Sequence, residues 1–199
     1  MAAPMIGRPR LVLASASPRR TDLLRQAGIV PDRIVPPRVD ETPARGERPG
    51  EYALRMAAAK ALFVVGDVED GSLVLAADTV VAVGRRILPK AGTNEEIADC
   101  LGFLSGRRHM VHTALMIARK HAPVRTRLVT TRVTFKRLSD DEIAAYLASG
   151  EGVGKAGGYA IQGRAEGFVR RINGSYSNVV GLPLYETLTL LIGCGYRPG

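Results

Sequence analysis

The chain reads as an α/β protein, and three observations predict it. Apolar runs of strand length alternate with stretches of helical period along its 199 residues. Capping residues and glycines punctuate the helical stretches. One run, Leu73–Val83, is apolar on both faces around a lone Asp78, as a strand covered on both sides must be.

The elements follow in order. Residues 10–15 form a short apolar strand, and Ser17 with Pro18 starts a helix that turns Leu23, Leu24 and Ala27 inward and stops at Gly28. Residues 33–39 make a weaker strand, interrupted by Pro36 and Pro37, and residues 40–50 read as a loop. A second helix spans residues 51–65, with Tyr52, Met56, Ala59 and Phe63 on one face. After Leu73–Val83, Gly84-Arg85 turns the chain into a short return strand ending at Pro89. Thr93 and Glu96 form a capping box for a helix over residues 93–104.

Residues 108–118 and 124–138 form a long antiparallel pair. In the second, Val129, Thr131, Val133 and Phe135 alternate with Thr130, Arg132, Thr134 and Lys136, so one face is wet. Ser139 and Glu142 cap a helix that ends at Gly150. Residues 150–167 are glycine-rich but too varied for a linker, and read as an ordered functional loop. A strand follows over residues 168–172, and Pro183 opens a last helix ending near Gly193. There is no internal repeat. With 46% hydrophobic residues, residues 1–199 can build the core of one domain.

The net charge of +9 favours polyanionic partners, from nucleic acid and anionic lipid to small phosphorylated ligands. The basic residues are spread without a dense run, Trp is absent and aromatics make up 5%, all of which argues against a nucleic-acid binder. No run reaches membrane-spanning length. The apolar stretch over residues 11–16 mimics a cleavage site at Ala14-Ser15-Ala16, yet it is too short for a signal peptide and Pro18-Arg19-Arg20 follows at once. Cys100 and Cys194 form no paired framework, which suits a reducing cytoplasm.

Four features carry candidate chemistry. Ser15 through Arg20 delivers a strand onto a helix N-terminus with two arginines in its first turn, where free N–H groups attract anions; the plain reading is a capped helix with exposed arginines. Asp78 inside an apolar strand costs several kcal/mol unless it is paired or bound to metal. Asp40-Glu41 lies in a loop and offers oxygen ligands to a hard cation, although such a pair is more often solvated surface. Lys60, Lys90 and Lys155 are point charges suited to phosphate, each more often surface than site. His109 and His112, three apart on a strand, point to opposite faces and make no zinc site. Ser15 and Ser17 lack a companion His–acid pair for a serine hydrolase, and the glycine-rich loop is no Walker motif.

Taken in order, these segments resemble the Maf family of nucleotide pyrophosphatases. The match begins at Leu11-Val12-Leu13-Ala14-Ser15-Ala16-Ser17-Pro18-Arg19-Arg20 and resumes at Val39-Asp40-Glu41-Thr42, Ala58-Ala59-Lys60-Ala61 and Ala77-Asp78-Thr79-Val80-Val81. It continues through Ile87-Leu88-Pro89-Lys90 and Leu104-Ser105-Gly106-Arg107 to Gly154-Lys155-Ala156-Gly157-Gly158-Tyr159-Ala160-Ile161-Gln162-Gly163 and Gly174-Ser175-Tyr176-Ser177-Asn178-Val179-Val180-Gly181-Leu182-Pro183-Leu184. Each motif is weak alone, and the ordered set is specific.

The resemblance implies a twisted mixed sheet flanked by helices, in two lobes around a nucleotide cleft, as in Maf and inosine-triphosphatase folds. It implies hydrolysis of a nucleoside triphosphate to monophosphate and pyrophosphate with Mg²⁺ or Mn²⁺. Carried over by position, Asp78 either takes the proton of the attacking water or holds the metal that lowers that water's pKa, and Glu41 lies at the metal. Ser15, Arg20, Lys60, Lys90 and Lys155 face the substrate's phosphates, and Arg20, Thr79 and Gln162 match positions tied to base choice. Thr79 and Ile161-Gln162-Gly163 resemble the branch acting on dTTP and UTP. Gly154, Gly158 and Ala160 depart from that branch, and the Gly157-Gly158 pair leaves open a loose pocket with broad or 7-methyl-GTP activity. A rival from another class is a non-catalytic nucleotide-binding regulator of cell division. A homodimer is also left open.

Overall fold

The computed structural model describes residues 8–197. The first half of the chain contains β1 (Leu11–Ala14), α1 (Pro18–Gln26), β2 (Arg33–Ile34), α2 (Pro49–Val65), β3 (Leu73–Val83), β4 (Arg86–Leu88), β5 (Lys90–Ala91) and α3 (Asn94–Leu104). The second half contains β6 (Arg108–Ala118), β7 (Arg125–Phe135), α4 (Asp140–Ser149), β8 (Lys155–Ala156), a 3-10 turn (Arg164–Phe168), β9 (Val169–Asn173), α5 (Tyr176–Val180) and α6 (Leu184–Gly193).

Seven strands form a mixed sheet in the order β2-β1-β3-β6-β7-β9, with β4 also on β3, while β5 and β8 make a separate ribbon. β1 runs parallel to β2 and β3, and the other pairings are antiparallel. One edge of β3 is taken along residues 74–82 by β6. The other edge is shared, with β1 on residues 73–76 and β4 on residues 81–83. Residues 77–80 therefore have no strand on that edge. This notch holds Asp78 and Thr79, the two residues that the sequence marked inside β3.

Alternation along β3 builds a core on each face. Leu73, Leu75, Ala77 and Val81 join the core under α1, α3, α4 and α6, while Val74, Ala76 and Val80 pack beneath α2. By the same alternation Asp78 looks toward α2 and Thr79 away from it. α2 presents small residues to the sheet (Ala53, Ala57 and Ala61, all buried) and so lies close upon it.

The structure corrects several sequence expectations. The inward stripe of α2 runs through Ala53, Met56, Ala57, Lys60 and Val64, and Phe63 falls outside it at 47% exposure. α2 also starts earlier, at Pro49, where the Glu51 carboxylate reaches back to the Arg48 N–H. The strand expected over residues 33–39 keeps only Arg33 and Ile34, because Pro36 and Pro37 have no N–H for the ladder. At α3, Thr93 Oγ1 does accept the Glu96 N–H at 3.2 Å, but the Glu96 carboxylate takes the Gly92 N–H instead of completing the box. α5 was not expected, since five residues behind a Ser175 cap carry no readable period. No helix among the described residues is long and apolar enough to cross a membrane.

Candidate active site

The notch in β3 opens into a cavity of about 340 Å³. Its walls come from the β1–α1 turn, the Glu41 loop, α2, the β5–β8 ribbon, the glycine-rich loop and α5. Of the expected site residues, Ser15, Arg20, Glu41, Lys60, Thr79, Lys90, Lys155 and Gln162 all line it. Asp78 does not. It is 2% exposed and borders an adjoining cavity of about 330 Å³, which shares Glu41, Thr79, Lys90 and Ala156 with the first.

The β1–α1 turn is fastened differently from its sequence reading. Ser17 occupies the N-cap position without a side-chain bond, and Ser15 Oγ instead accepts the Ser17 N–H at 3.0 Å. Arg20 is the one charged residue of α1 that is buried. Its guanidinium donates to Gly181 O at 2.9 Å, Thr79 Oγ1 at 3.2 Å and Ser15 Oγ at 3.3 Å. Burial pulls its pKa below the usual arginine value, and the Asp78 charge opposes that pull. Arg20 thus ties the turn, β3 and the end of α5 together.

Thr79 continues the network. Its hydroxyl lies 3.0 Å from that of Thr113, which donates to Asn178 O at 3.1 Å; the Asn178 amide donates to Val111 O and Thr131 Oγ1, both at 3.0 Å. Four elements distant in sequence fix the floor of the cleft in this way.

The carboxylates sit around one ammonium. Lys60 Nζ lies 2.5 Å from Asp78 Oδ1 and 2.7 Å from Glu41 Oε1, and Lys90 pairs with the other Glu41 oxygen. Burial alone would raise the Glu41 carboxyl, but the hydrogen bonds from Lys60 and Lys90 hold it below the usual carboxylate range. Asp40, the other half of the loop pair, stays exposed and accepts the Thr42 N–H at 2.9 Å. It takes no part in the site.

The ribbon brings the remaining lysines in. Lys90 stands opposite Ala156 and Lys155 opposite Ala91. Burial lowers the Lys155 pKa, and the nearby Arg19 charge adds to the effect. Arg19 also lines the cleft and donates to Val180 O at 3.3 Å. Arg19 stands in the Ser15–Arg20 motif but not among the expected phosphate-facing residues, and its place on the cleft beside α5 is a finding of the structure. Five cations therefore face the cavity (Arg19, Arg20, Lys60, Lys90 and Lys155) with Glu41 as the lone carboxylate among its lining residues.

The glycine-rich loop is packed tightly. Gly157 and Gly158 are buried, with φ of +68° and +71°. A Cβ at Gly157 would meet Val81 Cγ1 at 2.9 Å, and one at Gly158 would meet Cys100 Cβ at 3.1 Å and Ile97 Cα at 3.2 Å. The two glycines allow close approach to β3 and α3 and do not loosen the pocket. Behind them Tyr159 OH lies 2.8 Å from His109 Nε2, and Tyr146 OH accepts the Ala160 N–H at 2.9 Å. Gln162, at the end of this braced stretch, stays exposed on the cleft wall. His112, on the opposite face of β6 from His109, bonds Thr130 Oγ1 at 3.0 Å.

A family model described as Maf-like protein matches residues 10–194. The dTTP/UTP pyrophosphatase of Bradyrhizobium diazoefficiens is 59% identical over 197 residues, covering 96% of this chain and 94% of that protein. The dTTP/UTP pyrophosphatase of Caulobacter vibrioides is 58% identical over 194 residues, covering 98% of this chain and 100% of that one. With most of the ordered motifs gathered on one cleft, and with the family model and these relatives matching nearly end to end, the chain belongs to the Maf family.

Proposed function

We propose that this protein hydrolyses a nucleoside triphosphate, dTTP or UTP by preference, to the monophosphate and pyrophosphate. The observation that carries the reading is the cavity lined by five cations and one carboxylate, Glu41, beside the buried Asp78–Lys60 pair and the hydrogen-bonding groups of Thr79 and Gln162. A triphosphate supplies the dense negative charge that such a cluster is built to neutralise. The names of the relatives supply the reaction and the pyrimidine preference.

Glu41 and Asp78 fit a hard divalent cation such as Mg²⁺ or Mn²⁺. Both are oxygen donors, and Lys60 Nζ stands between them, so a bound ion would take over oxygens that this ammonium now holds. Among the described residues no group of three or more His, Cys, Asp or Glu forms an independent site, so substrate phosphates would complete the coordination. When bound, the ion would polarise the α-phosphate and acidify a water.

The chain's own residues do the rest. Arg19, Lys90 and Lys155 hold the phosphates. Arg20 holds Thr79 in place for the base, and Gln162 offers an amide that pairs with a base edge in either direction. Asp78 accepts the proton of the attacking water, and Lys60 orients that carboxylate. Residues from Ser15 to Val180 build this one cleft, which fits a single catalytic domain over residues 1–199. The free thiols Cys100 and Cys194 suit the cytoplasm.

The test is pyrophosphate release, with chromatography of the nucleotide product, over dTTP, UTP, the other common triphosphates and 7-methyl-GTP. The expected result is monophosphate plus pyrophosphate, with the highest kcat/KM for dTTP and UTP. Diphosphate plus orthophosphate would place the chain in another reaction class. A preference for 7-methyl-GTP would overturn the pyrimidine reading alone.

A further inference from the structure

On the sheet face that carries α2, the helix packs over β3 and β6, and β9 and the outer part of β7 extend beyond it. Arginines from three strands gather there. The register sets Arg108 opposite Thr134, and Thr134 opposite Arg171, so the three share one row on one face. Arg132, two residues along β7, stands opposite Asn173 in the next row. The β7–β9 register then steps from Thr134–Arg171 to Phe135–Val169, a bulge that leaves Arg170 as the extra residue. These four arginines, with Thr134 and Asn173, line a shallow depression of about 530 Å³.

All four arginines are exposed, and no carboxylate lines the depression. None of them forms an ion pair among the described residues, whereas Arg10, Arg25 and Arg55 pair with Glu69, Asp22 and Glu47. Neighbouring strands lie about 5 Å apart, so Arg108 and Arg171 are held about 10 Å apart at the backbone. Like charges in adjoining positions repel, and a bound polyanion would offset that repulsion.

The lining chemistry narrows the occupant. It contains no aliphatic or aromatic side chain. A protein partner would need an apolar anchor there, and a single strand would need a ring for its bases to stack on. Guanidinium, hydroxyl and amide groups are what repeated phosphates require. The depression shares no residue with the catalytic cavity, and Thr131 and Val133, which alternate with Arg132 and Thr134, point to the other face. We propose that this face binds the sugar–phosphate backbone of duplex nucleic acid, without reading its sequence. The scattered basic residues that argued against nucleic acid in the linear chain are gathered by the sheet.

Fluorescence anisotropy of the full chain with a short labelled DNA duplex, across a salt series, tests the proposal. The variants are Arg132→Ser with Arg171→Ser, and a control pair of equal charge loss, Arg10→Ser with Arg25→Ser. The patch pair should weaken binding by about tenfold or more at low salt. It should also lower the slope of log affinity against log salt by about 2, one for each guanidinium withdrawn from a phosphate. The control pair should bind like the parent, and Arg132→Lys with Arg171→Lys should keep the slope. Pyrophosphate release should be unchanged throughout. Equal weakening in the two Ser pairs, or no binding by the parent, would overturn the proposal. So would tighter binding of a single strand than of the duplex. Displacement by poly-glutamate as effective as by unlabelled duplex would reassign the face to an acidic protein segment.

Discussion

Lys60 Nζ lies 2.5 Å from Asp78 Oδ1, and both side chains are buried, joining the middle of α2 to the notch of β3. A carboxylate taken out of water costs several kcal/mol unless it is paired, and Lys60 is the ion-pair partner that Asp78 has. The same ammonium reaches Glu41 at 2.7 Å, so one lysine couples the helix, the central strand and the acidic loop.

Lys60→Met should therefore destabilise the protein by about 3 kcal/mol or more, because it leaves a buried carboxylate unpaired. Urea unfolding measures this. Adding Asp78→Asn to that background should restore part of the stability. A Lys60→Met protein as stable as the parent would refute the structural role of the pair.

Asp78→Asn alone should lower turnover by about 100-fold or more, since it removes the proposed proton acceptor. The fold should survive, because the change is nearly isosteric and Lys60 keeps Glu41 as its partner. Turnover and a thermal melt on the same sample separate the two effects. Parental turnover in a folded variant would end the catalytic assignment.

Chelation with EDTA should abolish pyrophosphate release, and Mg²⁺ or Mn²⁺ should restore it. Glu41 and Asp78 are hard oxygen donors, which favour these ions over softer ones. Full activity after exhaustive chelation is the outcome that contradicts the proposed ion.

Gln162→Ala should narrow the kcat/KM gap between the pyrimidine triphosphates and ATP or GTP, mainly by slowing the former. A pocket built on hydrogen bonds discriminates through the groups it leaves unpaired. The buried glycines hold the preceding stretch against Val81 and Ile97, so the amide is presented from a braced backbone. Unchanged selectivity would remove Gln162 from base recognition.

His109 gives a pH dependence of stability. Burial between Phe135 and Tyr159 pulls its pKa from 6.5 down to about 4. Between these values the unfolded chain binds the extra proton and the folded one does not, so stability falls as pH drops through that window. The drop is about 3 kcal/mol from this group. In His109→Phe the unfolding free energy should vary less with pH over the same window. An identical pH profile would show that His109 does not titrate in this way.

Much of the fold was legible because its signals are local. Leu73–Val83 was delimited to the residue by its two-sided apolar pattern and the Gly84-Arg85 turn that follows. The Ser139–Glu142 capping box and Gly150 bracket α4 as expected. Where neighbours decide, the reading slipped. Phe63 has the right helical spacing for burial, but the inward axis of α2 is set by how closely its alanines approach β3. The five-residue α5 has no period to read, and it is held by Asn178, whose amide reaches β6 and β7.

The sequence by itself determined which groups the protein has for chemistry: an acid inside an apolar strand, a set of spaced cations and a glycine-rich loop. Their residue types and their order along the chain carry that information. Only the tertiary structure decided where the groups stand. It put Asp78 and Thr79 on opposite faces of β3, at the stretch where β1 has ended and β4 has not begun. It closed Lys60 between two carboxylates, turned Arg20 inward onto Thr79 and Gly181, and left Asp40 in solvent. The same sheet register collected Arg108, Arg132, Arg170 and Arg171 on one face. Charge pairing and strand register depend on distances between residues far apart in the chain, and those distances exist only once the sheet has formed.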